Sequence, residues 1–214
     1  ELDAGWLARF AESNAPGDAA LVYEDRAYDR ASLIAAVHRA GETLASAGLV
    51  AGDLVAVLAP PSVSGVVLIH ALLERRIVFL PINARLREPE IASALAAVRP
   101  TALLVAEEVD RASSARLGQA GGCPVFAFAP LAAGSRPALD FVLERRSDST
   151  EDPASSGAPA RDRAALAGVG AALVLLTSGT SGRAKAAVLS RENLIASARA
   201  AALLLGSAAS DRWL

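Results

Sequence analysis

Hydrophobic positions along the chain switch repeatedly between a short, continuous rhythm and a helical one. Leu21-Val22-Tyr23 and Ala27-Tyr28 flank the polar break Glu24-Asp25-Arg26, which predicts a short hairpin. Asp29 then stands as an N-cap before a helix whose apolar face is Leu33, Val37, Ala40 and Leu44. Gly48 predicts the end of that helix, and Gly52-Asp53 a turn. Leu54 to Leu58 is a brief apolar run bounded by Pro60-Pro61, which suits a strand buried on both faces. Ser62 to Glu74 is too long for a strand and opens with a capping serine, so a helix is expected. Ile77 to Leu80 predicts a second short strand stopped by Pro81, and Glu88 to Val98 a helix with Ile91, Leu95 and Val98 on one face. Thr101 to Val105 and Pro124 to Phe128 predict two further strands.

Strands alternating with helices of this length predict parallel βαβ units: an α/β fold with a doubly wound, mostly parallel sheet and flanking helices. The pattern fades between residues 131 and 168. Arg145 to Pro159 contains no aliphatic residue larger than alanine, which predicts a linker or mobile surface loop. Order returns with the apolar run Ala171 to Leu176. The expected organisation is therefore a first α/β subdomain over 1–130, the linker over 131–168, and a second subdomain beginning at 169–214. No internal repeat of solenoid length is present.

Composition narrows the function classes. The 214 residues carry a formal net charge of −2 and are 53% hydrophobic, ample for a core and without the basic excess a nucleic-acid surface needs. A single cysteine excludes an internal disulfide framework. The longest apolar stretches, such as Val66 to Leu73, are too short to span a membrane, and the start has no basic region followed by a cleavage site. A cytoplasmic location is the expectation. The chain has no methionine, which points to an origin in something longer.

The basic residues sharpen the picture, because 20 of the 21 are arginine and the remaining one is Lys185. It ends the segment Thr177-Ser178-Gly179-Thr180-Ser181-Gly182-Arg183-Ala184-Lys185. Glycines let consecutive backbone N–H groups turn toward one point, hydroxyls add donors, and the ammonium adds a full charge. A polyphosphate fits that donor set. One hydrogen bond to a charged group contributes roughly 1.5–3 kcal/mol, whereas micromolar binding needs roughly 8 kcal/mol. Several donors, with Mg²⁺, are therefore required. A compact ammonium, which a planar guanidinium cannot copy, explains lysine in an otherwise arginine-only chain. The rival reading is a flexible hairpin with one chance lysine.

The segment is not a Walker loop, because Lys185 stands three residues after Gly182 and Val188-Leu189 predicts another strand. Gly168-Val169-Gly170 precedes its strand and has Leu173 where a dinucleotide fingerprint needs glycine. The segment does resemble the signature loop of the AMP-forming adenylate-forming superfamily, framed by Leu173 to Leu176 and by Val188-Leu189-Ser190-Arg191-Glu192-Asn193-Leu194. Gly52 to Leu58 resembles that family's first core strand, and Leu80 to Leu86, with Glu90-Ile91, the next conserved stretch of its acyl-CoA synthetases. Residues 201–206 and 210–214 look most like o-succinylbenzoate–CoA ligases of menaquinone synthesis. Ala184 and Ala186 replace the usual proline and glycine, and Arg191 the usual histidine. If position 186 needed φ > 0, its alanine would cost roughly 1–2 kcal/mol.

The resemblance implies the first part of a large N-terminal domain of an enzyme that joins a small-molecule carboxylic acid to coenzyme A through an acyl-adenylate. ATP, Mg²⁺ and coenzyme A are the implied co-substrates. Thr177, Ser178, Gly179, Thr180, Ser181, Gly182 and Lys185 are the implied phosphate contacts. Catalytic residues are unassigned, and the chain alone is expected to be inactive. A non-catalytic phosphate- or nucleotide-binding module is the alternative, and a structural domain with a vestigial loop a third reading. A homo-oligomer is a candidate assembly; nucleic acid is not expected as a partner. His38, His70 and Cys123 lack ligand spacing, so no protein metal site is expected.

Overall fold

The computed structural model describes residues 19–130, 139, 141–146, 160–177 and 185–206. Strands β1 (Ala19–Tyr23) and β2 (Arg26–Asp29) form an antiparallel hairpin, as the polar break predicts. Helix α1 (Arg30–Ser46) follows, with the Asp29 carboxylate accepting the Ser32 N–H at 2.8 Å. Its buried face includes Leu33, Val37, Ala40 and Leu44.

The main sheet has seven strands, β3 (Leu54–Leu58), β4 (Val78–Ile82), β5 (Ala102–Ala106), β6 (Val125–Pro130), β7 (Phe141–Arg145), β8 (Ala171–Thr177) and β9 (Lys185–Ser190). Their order is β7-β6-β5-β3-β4-β8-β9, with antiparallel pairs at the two edges and parallel pairing between. The doubly wound, mostly parallel reading is met. Between the strands run α2 (Val63–Glu74), α3 (Glu88–Val98) and α4 (Arg111–Gly121), then α5 (Ala160–Gly168) before β8 and α6 (Arg191–Leu205) after β9.

Alternation along the central strands divides the core in two. Val55, Val57, Phe79 and Leu104 pack with Leu44 of α1 and Leu68 and Leu72 of α2. Ala56, Leu80, Leu103 and Val105 pack on the opposite face with Ile91 and Leu95 of α3 and Leu117 of α4. All five residues of β3 are buried, as are all five of β5, which explains their unbroken apolar sequence.

Helix ends reuse one device. After α1, Leu49 N–H reaches Leu44 C=O at 3.1 Å and Gly48 N–H reaches Ala45 C=O at 2.9 Å, a Schellman closure with Gly48 at φ +82°. After α2 the same pair of bonds joins Ile77 to Leu72 and Arg76 to Leu73, but the left-handed residue is Arg76, at φ +57°. Burial of Leu72 and Ile77 holds the arginine there.

Four differences from the sequence expectation have physical causes. Pro81 continues β4 instead of stopping it. Val78 N–H points to Asp53 of the β3 side, so alternation turns the Pro81 nitrogen toward β8, which β4 meets through Phe79 and Leu173. Helix α4 escapes periodicity because its buried face is mostly small: Ser114, Gly118 and Gly121 beside Leu117. Within the interval expected as a linker, Phe141–Arg145 pairs with β6 and Ala160–Gly168 is helical; residues 147–159 lie outside the described residues. Finally, β8 and β9, expected to open a second subdomain, join the first sheet beside β4.

A Cβ added at Gly118 would lie 2.4 Å from Val125 Cγ2, whereas one at Gly168 meets nothing within 4 Å. We expect Gly118→Ala to destabilise by about 1–3 kcal/mol through overpacking. Gly168→Ala should be neutral or stabilise by up to about 1 kcal/mol. Urea midpoints of the two variants check the contrast.

Candidate functional site

Parallel pairing brings the ends of β3, β4, β5, β6 and β8 to one edge of the sheet, where ligands of open α/β folds gather. The N-termini of α2, α3 and α4 follow these strand ends directly. Ser62 Oγ accepts the Gly65 N–H at 3.1 Å, and the Asp110 carboxylate accepts the Ser113 N–H at 2.9 Å. Between them Asn83 Oδ1 accepts the Arg85 N–H at 3.0 Å, and Tyr23 donates its hydroxyl to Pro61 C=O at 3.2 Å. The edge is thus built from ordered turns and positive helix ends.

Thr177 ends β8 on this edge, and the chain returns at Lys185. The two residues are the final register pair of the hairpin, and Thr177 Oγ1 donates to Lys185 C=O at 3.2 Å. Both are exposed. Ser178, Gly179, Thr180, Ser181 and Gly182 lie outside the described residues. The described residues thus bring together Thr177 and Lys185 of the seven candidate contacts. Ala186 pairs with Leu176 in the ladder and is not among the positive-φ residues, so its methyl carries no left-handed strain.

The opposite edge is stitched by groups that the sequence did not reveal. Asp53, whose side chain is fully buried, lies 2.5 Å from Arg163 Nη2 of α5 and accepts the Val50 N–H at 2.8 Å. Thr101 Oγ1 donates to the same carboxylate at 3.4 Å. Gly52, at φ +85°, leaves room for Arg163: a Cβ there would lie 3.0 Å from both its Cγ and its carbonyl oxygen. Arg191 donates its guanidinium to Leu73 C=O at the end of α2, and its N–H to Gly170 C=O at 3.0 Å. Position 191, where the resembling family carries histidine, therefore ties α6 and β8 to α2. On the carboxyl edge, Arg146 closes the β5–α4 turn, donating to the carbonyls of Val109 and Glu107. Thr101 and Arg163 reach Asp53, and Arg191 reaches Leu73, across 48, 110 and 118 residues of sequence, so no local signal marks these contacts.

Burial pushes the Cys123 thiol up to about 12, which keeps it protonated and inert, and lowers His70. His38 is exposed on α1. Glu88 is held at about 2 by the Arg116 guanidinium, which pairs with it across α3 and α4. No group of three metal-ligating side chains occurs among the described residues, and no described helix is long and apolar enough to cross a membrane.

The model of the AMP-binding enzyme family matches residues 7–214. The chain belongs to that family. No curated protein is similar enough in sequence to match it. Solved structures show the same fold. MatB from Rhodopseudomonas palustris in its apo form has 23% identity and a TM-score of 0.64, covering 94% of this chain and 37% of that one. The o-succinylbenzoate CoA synthetase MenE from Bacillus subtilis, bound to a product analogue, has 23% identity and a TM-score of 0.68, with coverages of 98% and 38%. A putative long-chain-fatty-acid CoA ligase from R. palustris has 19% identity and a TM-score of 0.68, with coverages of 96% and 48%. The chain thus spans well under two thirds of the length of these structures, and its fold matches that expected for the N-terminal domain.

Two outcomes test the site's electrostatics. Arg163→Ala leaves the Asp53 carboxylate buried without its cation, and with Arg163 itself 31% exposed we expect a loss of about 2–4 kcal/mol by urea denaturation. Glu88 has a depressed folded-state pKa, so its pairing favours the folded chain above its ordinary value of 4.5 and is lost as pH falls toward about 2. Glu88→Gln should remove that acid-side slope, read as thermal midpoint against pH.

Proposed function

We propose that this chain forms part of an ATP-dependent, AMP-forming ligase that activates a carboxylic acid and passes the acyl group to coenzyme A. The observation that carries the proposal is the placement of Thr177 and Lys185, the only lysine, at the mouth of a hairpin on the carboxyl edge of the parallel sheet. Membership of the AMP-binding family supports the same reading.

In the proposed reaction a carboxylate oxygen attacks the α-phosphorus of ATP. The bond from that phosphorus to the bridging oxygen breaks, and pyrophosphate leaves. A thiol then attacks the acyl carbon, AMP departs, and the thiol proton passes to solvent. The first step needs negative charge drawn toward the β- and γ-phosphates, and electrostatic positioning supplies that. The segment from Thr177 to Lys185 holds the departing pyrophosphate. Ser178, Thr180 and Ser181 provide hydroxyls, Gly179 and Gly182 unobstructed backbone N–H groups, and Lys185 the charge. Mg²⁺ carried by the nucleotide would supply further positive charge to the phosphate oxygens.

For the acid itself we propose o-succinylbenzoate, supported by the likeness of residues 201–206 and 210–214 to ligases of that substrate. The fold likeness to MatB and to a putative fatty-acid ligase makes other carboxylates the natural comparison substrates. A chain that spans 37–48% of the matched structures is expected to bind phosphate without completing the reaction.

Lys185→Ala should weaken inorganic pyrophosphate binding at least about tenfold by titration calorimetry, the equivalent of a lost charged hydrogen bond. Lys185→Arg should not restore it. Unchanged affinity would leave the hairpin a structural turn. The 214-residue chain mixed with ATP, coenzyme A and o-succinylbenzoate should give no thioester by mass spectrometry.

A further inference from the structure

We propose that Thr177 is a positioning residue that clasps the hairpin shut, and that its hydroxyl is not a phosphate ligand. The inference rests on reading residues 177–185 as the phosphate site, and it separates the roles of hydroxyls that the sequence alone makes equivalent.

A threonine hydroxyl has one O–H to donate. In the structure that donor goes to Lys185 C=O at 3.2 Å. What remains on Oγ1 is acceptor capacity, which repels phosphate oxygen. The hydroxyl therefore cannot bind phosphate while it holds the carbonyl.

The position of the bond gives it a purpose. Thr177 and Lys185 face each other as the last pair of the β8–β9 ladder, and directly opposed residues project to the same side of the sheet. Strand β9 ends the sheet order, and Lys185, Ala186 and Ala187 at this end are exposed, exposed and half-buried. Val188 is itself 46% exposed. A terminal pair with so little burial frays easily. The Thr177 side chain bridges that pair from one strand to the backbone of the other. It holds the peptide of the very residue that carries the ammonium. Threonine suits this better than serine in one respect, because branching at Cβ restricts χ1 and presets the hydroxyl.

The prediction separates a clasp from a ligand. Thr177→Val keeps the shape and removes the donor; Thr177→Ser keeps the donor. In the ligand-free 214-residue chain, amide hydrogen exchange at residues 185–188 should rise at least about threefold in Thr177→Val and stay within about twofold of the parent in Thr177→Ser. Binding of inorganic pyrophosphate by calorimetry should weaken roughly three- to tenfold in the valine variant and recover in the serine variant. Weaker pyrophosphate binding with unchanged exchange would make Thr177 a direct ligand and overturn the proposal. Unchanged exchange together with unchanged affinity would overturn it equally. A parent chain that binds no pyrophosphate would sink the phosphate reading, while the exchange measurement would still decide whether Thr177 is a clasp.

Discussion

Parallel pairing on both sides of β3 fixes where everything else in the molecule can lie. Val55 meets Phe79 on one side and Ala102 on the other, and each later residue keeps that register. Because these strands run the same way, all crossovers return over the faces, so both faces of β3 are covered and all five of its residues are buried. The same geometry sends the carboxyl ends of the parallel strands, and the N-termini of α2, α3 and α4, to one edge. The β8–β9 hairpin opens on the edge that carries those positive helix ends.

The two edges of the sheet divide the work. On the amino edge, Asp53 with Arg163 and Thr101, Gly52 against α5, and Arg191 on the last turn of α2 tie separate elements together. These contacts are buried or half-buried and connect distant parts of the chain. On the carboxyl edge Ser62 and Asp110 cap their own helices and Asn83 closes its own turn, and the longer-range contacts are Tyr23 on Pro61 and Arg146 on the β5–α4 turn. The buried Asp53–Arg163 ion pair lies at one end, and the exposed Thr177–Lys185 pair at the other. Arg191 illustrates the division, since it contacts backbone at the edge far from the hairpin mouth.

How much could be read beforehand depended on whether a signal was local. The hairpin from Leu21 to Tyr28, the Asp29 and Ser62 caps, and the apolar strands Leu54–Leu58 and Thr101–Val105 follow from neighbouring residues; the hairpin strands run slightly longer, as Ala19–Tyr23 and Arg26–Asp29, and the last strand is shifted by one residue to Ala102–Ala106. Helix α4 was invisible because close packing at Gly118 and Gly121 replaces the large apolar face that periodicity detects. Strand β7 was hidden by the adjoining Arg145-Arg146, whose second arginine proves to be spent on the carbonyls of Glu107 and Val109. Pro81 reads as a stop because sequence does not say which side of a strand its nitrogen faces.

The candidate site divides along the same line. Residue chemistry alone singled out Thr177 to Lys185, because an anion site needs particular donors close together, and that requirement is written in consecutive residues. The sequence likewise determined the alternation of strand and helix, and with it the parallel sheet. Tertiary structure decided the strand order, the incorporation of β8 and β9 into the same sheet as β3, and the partners of Asp53, Arg163 and Arg191. It also decided that the Thr177 hydroxyl faces the Lys185 carbonyl. Those outcomes depend on which segments meet across the sheet, and pairing between residues far apart leaves no trace in the pattern of either segment by itself.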